Sequence, residues 1–120
     1  MQYEIEFYET ESGRVPVCEF VEKLQDKQKA RILRDIEQLG KIGSELHFPY
    51  VDSIKGEKYK GLWELRSKSV GGIFRIFYFM IVENKAIMLH AFQKKTDKTP
   101  QKELETALAR MKDSKERRQA

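Results

Sequence analysis

The sequence predicts an α+β domain in which an antiparallel sheet packs against an N-terminal helical hairpin and a C-terminal helix, in the order β-α-α-β-β-β-α. Three patterns predict it. Apolar residues alternate over residues 2–9, recur with helical spacing in two stretches between 16 and 39, and fill three strand-length runs between 58 and 92. No internal repeat or linker divides the 120 residues, so 1–120 reads as a single domain.

Tyr3, Ile5 and Phe7 alternate with Glu4, Glu6 and Tyr8, the period of a half-buried strand, and Gly13 follows in a break. Pro16 suits a first helical turn, where its missing N–H is not needed. Val17, Phe20, Val21 and Leu24 then form one apolar stripe. Asp26 is placed to cap a second helix, in which Ile32, Leu33, Ile36 and Leu39 repeat the pattern and Gly40 and Gly43 act as stop signals. The tight connection makes these two helices a hairpin. Residues 44–56, punctuated by Pro49 and Gly56, read as a loop.

From Lys58 a strand pattern returns, with Tyr59, Trp63 and Leu65 on one face and Lys58, Lys60, Glu64 and Arg66 on the other. A turn over 67–72 leads to residues 73–82, apolar on both faces as in a central strand. Glu83 and Asn84 make a hairpin turn, and residues 86–92 form the third strand of the series. Thr99 and Pro100 open a last helix whose stripe is Leu104, Ala107, Leu108 and Met111. Its tail, from about residue 112, reads as a solvated, fraying end.

Forty per cent hydrophobic and 35% charged residues suffice for a modest core. The longest apolar run, residues 76–82, is too short to span a bilayer, and the start lacks the basic and apolar segments of a secretory signal. One cysteine, Cys18, excludes an internal disulfide, and no Cys/His cluster has zinc spacing. A cytoplasmic protein without metal or cofactor is expected. Cys18 borders the apolar stripe of the first helix and reads as a small core residue.

The net charge of +4 is modest but unevenly spread. Residues 1–12 hold four Glu and no Lys or Arg. Between 55 and 75, Lys55, Lys58, Lys60, Arg66, Lys68 and Arg75 stand against only Glu57 and Glu64. Lys94, Lys95, Lys98 and Lys102 stand against only Asp97. Two basic segments suggest a polyanionic partner.

Strand parity sharpens this. Glu64 and Arg66 share a face opposite Trp63 and Leu65, and if Phe74, Ile76 and Tyr78 face the helices, Arg75 joins them. The alternative parity buries Arg75 in the core, which costs several kcal/mol without a partner. Lys94 and Lys95 end the third strand at the rim of the same open face. Cleaving RNA by its own 2′-hydroxyl needs such groups: a proton leaves that hydroxyl, negative charge grows on phosphorus, and the departing 5′-oxygen gains a proton. Guanidinium forks match phosphate oxygens but are poor acids. Lys94, Lys95 and His90 are the candidate acids, His90 having the better intrinsic pKa. Phe77 or Phe79, if exposed on this face, would stack an unpaired base. Each feature also has a plainer reading: Glu64 as half of a cross-strand ion pair, the two phenylalanines as core, and His90 as a structural histidine.

Three segments in order carry a resemblance: residues 62–66 (LWELR), residues 74–78 (FRIFY), and residues 89–96 (LHAFQKKT) with Pro100 opening a helix. Together they resemble the phage-derived branch of RelE/HigB-like toxins over most of the chain, roughly Tyr3 to Met111. The resemblance implies a microbial-ribonuclease-like sheet and metal-independent cleavage of mRNA, usually in the ribosomal decoding site. It also implies a cognate antitoxin, helix-turn-helix and HigA-like, through which alone operator DNA is contacted. Glu64 falls where relatives place a carboxylate base, Arg75 matches the phosphate-stabilising arginine of the central strand, and Arg66 matches a second. Lys94, with Lys95 beside it, lies near the position of the general acid. The chain departs from RelE itself in having Leu62 and Glu64 where that protein carries lysines, and no tyrosine after Lys95. Two other classes share the scaffold: a ParE-like toxin that inhibits gyrase without cleaving nucleic acid, and a non-catalytic antitoxin-binding module.

Overall fold

The structure is a computed structural model that describes residues 1–69, 71–82, 84–95 and 98–119. The alternating N-terminal segment forms β1 (Glu4–Phe7). Pro16 opens α1 (Pro16–Glu22) as the proline rule requires. In α2 (Asp26–Ile42) the cap is Gln25, whose N–H donates to the Gln28 side chain at 3.3 Å. Asp26, expected as the cap, is instead the first helical residue. Gly40 does not stop this helix either. It lies inside it because β1 crosses closely: a Cβ there would stand 3.2 Å from Ile5 Cγ1, and the Gly40 carbonyl accepts the Tyr3 N–H at 2.8 Å. Gly43 ends the helix, at φ +61°.

Within the stretch read as a loop lies a short strand, β2 (Val51–Ser53), too brief for any periodicity to reveal. It pairs antiparallel with β3 (Leu62–Ser69), Val51 opposite Leu65 and Asp52 opposite Glu64. The strand expected from Lys58 starts later because Glu57–Tyr59 is a 3-10 turn and Gly61 takes φ +93°. Tyr59 therefore packs on the face opposite Leu65 rather than beside it. The turn expected over 67–72 is shorter, since β3 runs to Ser69 and β4 (Gly72–Ile81) begins at Gly72. Val70 lies outside the described residues, as does Glu83 of the turn before β5 (Lys85–Lys94).

The five strands lie in the order β1-β5-β4-β3-β2. Strands β2 to β5 are antiparallel neighbours, whereas β1 runs parallel to β5, with Ile5 opposite Ala86 and Phe7 opposite Met88. The sheet is thus mixed rather than wholly antiparallel. Hairpin turns force antiparallel pairing along β3-β4-β5, but β1 reaches the sheet through the α1–α2 excursion, which leaves its direction free.

Two cores result. On one face Leu65, Phe74, Ile76, Tyr78 and Met88 meet Val17, Val21, Ile32, Ile36 and Leu39 of the helical hairpin. On the other, Leu62, Phe77, Phe79, Ile87, Leu89 and Phe92 meet Ala107, Leu108 and Met111 of α3 (Gln101–Gln119). The residues from Lys112 onward, expected to fray, continue α3. Arg117 donates to the Glu9 carbonyl and Arg118 reaches the Glu6 carboxylate at 3.3 Å. Among the described residues no helix is long and apolar enough to cross a membrane.

Candidate functional site

The parity argument holds in three dimensions. Arg66 and Arg75 are direct cross-strand partners, one step from the pair Glu64 and Phe77 on the same face. Two guanidiniums opposed in register repel, and carboxylates offset the repulsion. Glu64 Oε1 accepts from Arg75 Nη1 at 2.7 Å, while Glu64 Oε2 lies 3.5 Å from Arg66 Nη2. Asp52, delivered by β2, approaches the same Arg66 nitrogen at 3.4 Å. Glu64 is 6% and Arg75 7% exposed, so the 2.7 Å pair sits in a largely dehydrated setting. There, removal of either partner would strand the other charge.

Charge neutrality does not exhaust the arginines. The Nε–H of Arg66 and the Nε–H of Arg75 are both buried without an acceptor among the described residues. Both Nε atoms are closed off from solvent, so it is the terminal nitrogens of these forks that suit an incoming phosphate oxygen. Around the arginines opens a cleft of about 470 Å³, lined by Arg31, Tyr50, Arg66, Lys68, Ile73 and Arg75 among others. Lys68 makes no ion pair among the described residues, so it remains a net cation at the cleft.

β5 supplies the remaining expected cations, through an irregularity. Phe77 pairs with His90 and Tyr78 with Met88, so Leu89 is an extra residue, a bulge. Met88 lies in the hairpin core, and in an unbroken strand every second residue after it, through Lys94, would follow it there. The bulge reverses the phase: Phe92 enters the α3 core, and Lys94, opposite Ile73, comes to the face of Arg75. Lys94 is partly exposed and makes no ion pair among the described residues; Lys95 is exposed beyond the strand end. Thr96 and Asp97 lie outside the described residues.

His90 serves a different contact. Its Nε2 is 2.7 Å from Glu103 Oε1 and its Nδ1 is 3.0 Å from Arg110 Nη1. A carboxylate only accepts and a guanidinium only donates, so the neutral imidazole protonated on Nε2 satisfies both. Burial pushes its pKa below the ordinary value, the Glu103 hydrogen bond opposing that shift and Arg110 adding to it. The ring stacks on Phe92 with centroids 5.8 Å apart. His90 is thereby a strut between β5 and α3, with both nitrogens engaged, rather than a free proton donor.

Other expectations change as well. The face is only partly open, because α3 packs over the part of it that carries Leu62, Phe77 and Phe79. Phe77 and Phe79 are buried beneath that helix and offer no ring to a base. The exposed aromatics stand elsewhere: Phe48 and Tyr50, at the edge of the cleft, with the Arg66 guanidinium 5.2 Å from the Phe48 ring centre. Their signal was two aromatics flanking Pro49 in a stretch otherwise read as loop. Asp52 and Arg31 carried no signal, since only the β2 pairing and the helix packing bring them here. Cys18 is exposed on α1, not core; partial desolvation of its sulfur and then the Glu22 charge raise its thiol pKa. Among the described residues no three His, Cys, Asp or Glu side chains gather as a metal-binding group.

A carboxylate-braced pair of arginines on a sheet clasped between a helical hairpin and a third helix defines the class: a small α+β domain with a cationic, anion-receptive face. Residues 19–112 match the family described as Phage derived protein Gp49-like (DUF891), a span from α1 to α3 that includes the whole cluster. The chain belongs to this family, a RelE/HigB-like toxin family of type II toxin–antitoxin systems. No curated protein matches the chain.

Proposed function

We propose that this chain is a cytoplasmic, metal-independent mRNA endoribonuclease, the toxin of a type II pair. It acts on mRNA held by the ribosome and is neutralised by a cognate HigA-like helix-turn-helix antitoxin, through which alone it meets operator DNA. The observation that carries the reading is the opposed pair Arg66 and Arg75, braced by Glu64 and lining one cleft with Lys68.

The chemistry follows from those groups. The arginines hold the non-bridging oxygens and favour the extra negative charge of the phosphorane. Glu64 Oε1 is committed to Arg75, whereas Oε2 has only a long contact to Arg66 and is the oxygen left to take a proton. The ribose 2′-oxygen attacks phosphorus as its proton passes to Glu64. The bond from phosphorus to the 5′-oxygen breaks, and Lys94 supplies the proton that oxygen needs. The products are a 2′,3′-cyclic phosphate and a free 5′-hydroxyl. Lys95 and Lys68 add cationic charge along the RNA path.

Induced expression of wild type, Arg66→Ala and Arg75→Lys, with growth followed and mRNA 5′ ends mapped, tests the proposal. Lysine keeps a cation for Glu64 but loses the fork. Wild type should arrest growth with new cleavage sites inside reading frames, and each variant should cut roughly 10²–10³-fold more slowly. Arrest without cleavage overturns the nuclease reading and points to gyrase inhibition, read as trapped gyrase–DNA complexes. Absence of arrest leaves a non-catalytic antitoxin-binding module.

A further inference from the structure

We propose that Phe48 and Tyr50 form a stacking subsite for an unpaired nucleobase next to the phosphate held by Arg66 and Arg75. The inference rests on the nuclease reading and names how its substrate is gripped.

Phe48 is 64% exposed and Tyr50 57% exposed, the two largest aromatic surfaces left in water beside the cleft. Neither ring belongs to either hydrophobic core among the described residues. The segment is fixed through its backbone, the Tyr50 N–H donating to the His47 carbonyl at 2.9 Å and the Tyr50 carbonyl accepting the Arg66 N–H at 2.8 Å. A backbone held in place with rings left largely in water is the arrangement of a binding surface.

The surroundings select the occupant. Tyr50 and Arg66 border two adjoining clefts, the 470 Å³ one that holds Arg75 and a second of about 400 Å³ against α2. Both volumes suit ligand-sized groups, of the order of 300–1,000 Å³. The second cleft has an apolar floor that includes Leu46 and a cationic wall of Arg31 and Arg34; Arg31 is paired to Asp35, whereas Arg34 makes no ion pair among the described residues. A group that is flat, apolar on its faces and tied to negative charge fits this lining and the exposed rings beside it. A base joined to its phosphodiester meets all three demands, and stacking tolerates any base. Arg66 links the halves: it lines both clefts, and its guanidinium carbon stands 5.2 Å from the Phe48 ring centre. An acidic peptide would satisfy the charge but not the flat slab.

The test uses the whole protein at low salt and a short, fluorescently labelled single-stranded RNA, 2′-O-methylated so that it is not cut. Abasic sites are placed at each position in turn, and binding is read by anisotropy. With wild type, one position should lose roughly 5–100-fold in affinity when abasic, the worth of one stacked base. Phe48→Ala or Tyr50→Ala should lose a similar factor on the intact RNA, become indifferent to that abasic site and keep the wild-type melting temperature. Tyr50→Phe should restore binding. A flat abasic profile with wild type, despite binding, overturns the subsite and leaves the nuclease proposal standing. Failure of wild type to bind RNA at all overturns both. Variants that keep full RNA affinity but no longer retain a co-expressed antitoxin overturn the subsite in favour of a protein-docking patch.

Discussion

Replacing Arg75 by methionine removes the guanidinium while keeping most of the volume of its stem, so it isolates the charge. Glu64, 6% exposed, would then retain only the 3.5 Å contact from Arg66, itself partly drawn to Asp52 and the Pro49 carbonyl. Breaking one side of a buried pair costs about 3–5 kcal/mol. That is a large share of the ~5–15 kcal/mol that holds a domain together. With a urea m-value of about 1–3 kcal/mol per M, the midpoint should fall by roughly 1–5 M. The double variant Glu64→Leu, Arg75→Met leaves no buried charge stranded and should regain ~2 kcal/mol or more over Arg75→Met alone, while cleavage stays lost in both. Urea unfolding of the four proteins in the cycle gives the coupling directly. A single-variant loss under about 1 kcal/mol, or a double variant no more stable than the single, would refute the claim that this carboxylate depends on its arginine.

Three further outcomes follow from the geometry. Because His90 is held neutral with a lowered pKa, the unfolded chain binds its proton first, so this residue's stabilisation is complete above the ordinary histidine value near 6.5. It is lost as pH falls towards the native value, with a slope of at most about 1.4 kcal/mol per pH unit, and His90→Gln should flatten that limb in urea midpoints measured against pH. Gly43→Ala would set a Cβ 1.8 Å from the Met1 carbonyl oxygen, and should lower stability by ~2 kcal/mol or more; an unchanged melting temperature would show that the N-terminal residues simply move aside. Lys68→Gln and Lys94→Gln should each reduce the slope of log affinity for single-stranded RNA against log salt by about 0.7, and an unaltered slope would remove that lysine from the phosphate path.

Much of the scaffold could be read from residues alone, because its signals are local. The Pro16 helix start, the hairpin stripes and the run of β3, β4 and β5 depend on periodicity within single segments. So did the grouping of Glu64, Arg66 and Arg75, since parity along a strand is set by the pleat and the cost of burying an unpaired arginine resolved the choice. The helical residues at Gly40 and Asp26 misled for the converse reason: a neighbouring strand and a glutamine cap overrode local preference.

Residue pattern and strand parity thus suffice for the α+β class, the order of the main elements and the shared face of one carboxylate and two guanidiniums. Tertiary structure alone decided the rest. The parallel entry of β1 depends on a crossover, and β2 is a strand only because β3 offers an edge to pair with. The Leu89 bulge turns Lys94 towards Arg75 and His90 towards α3, reversing what simple alternation from Met88 would give. The burial of Phe77 and Phe79 follows from where α3 comes to rest, while Phe48 and Tyr50, in the segment before β2, stay exposed. These are contacts between segments distant in sequence, settled by which surfaces cover one another rather than by the periodicity of any one segment.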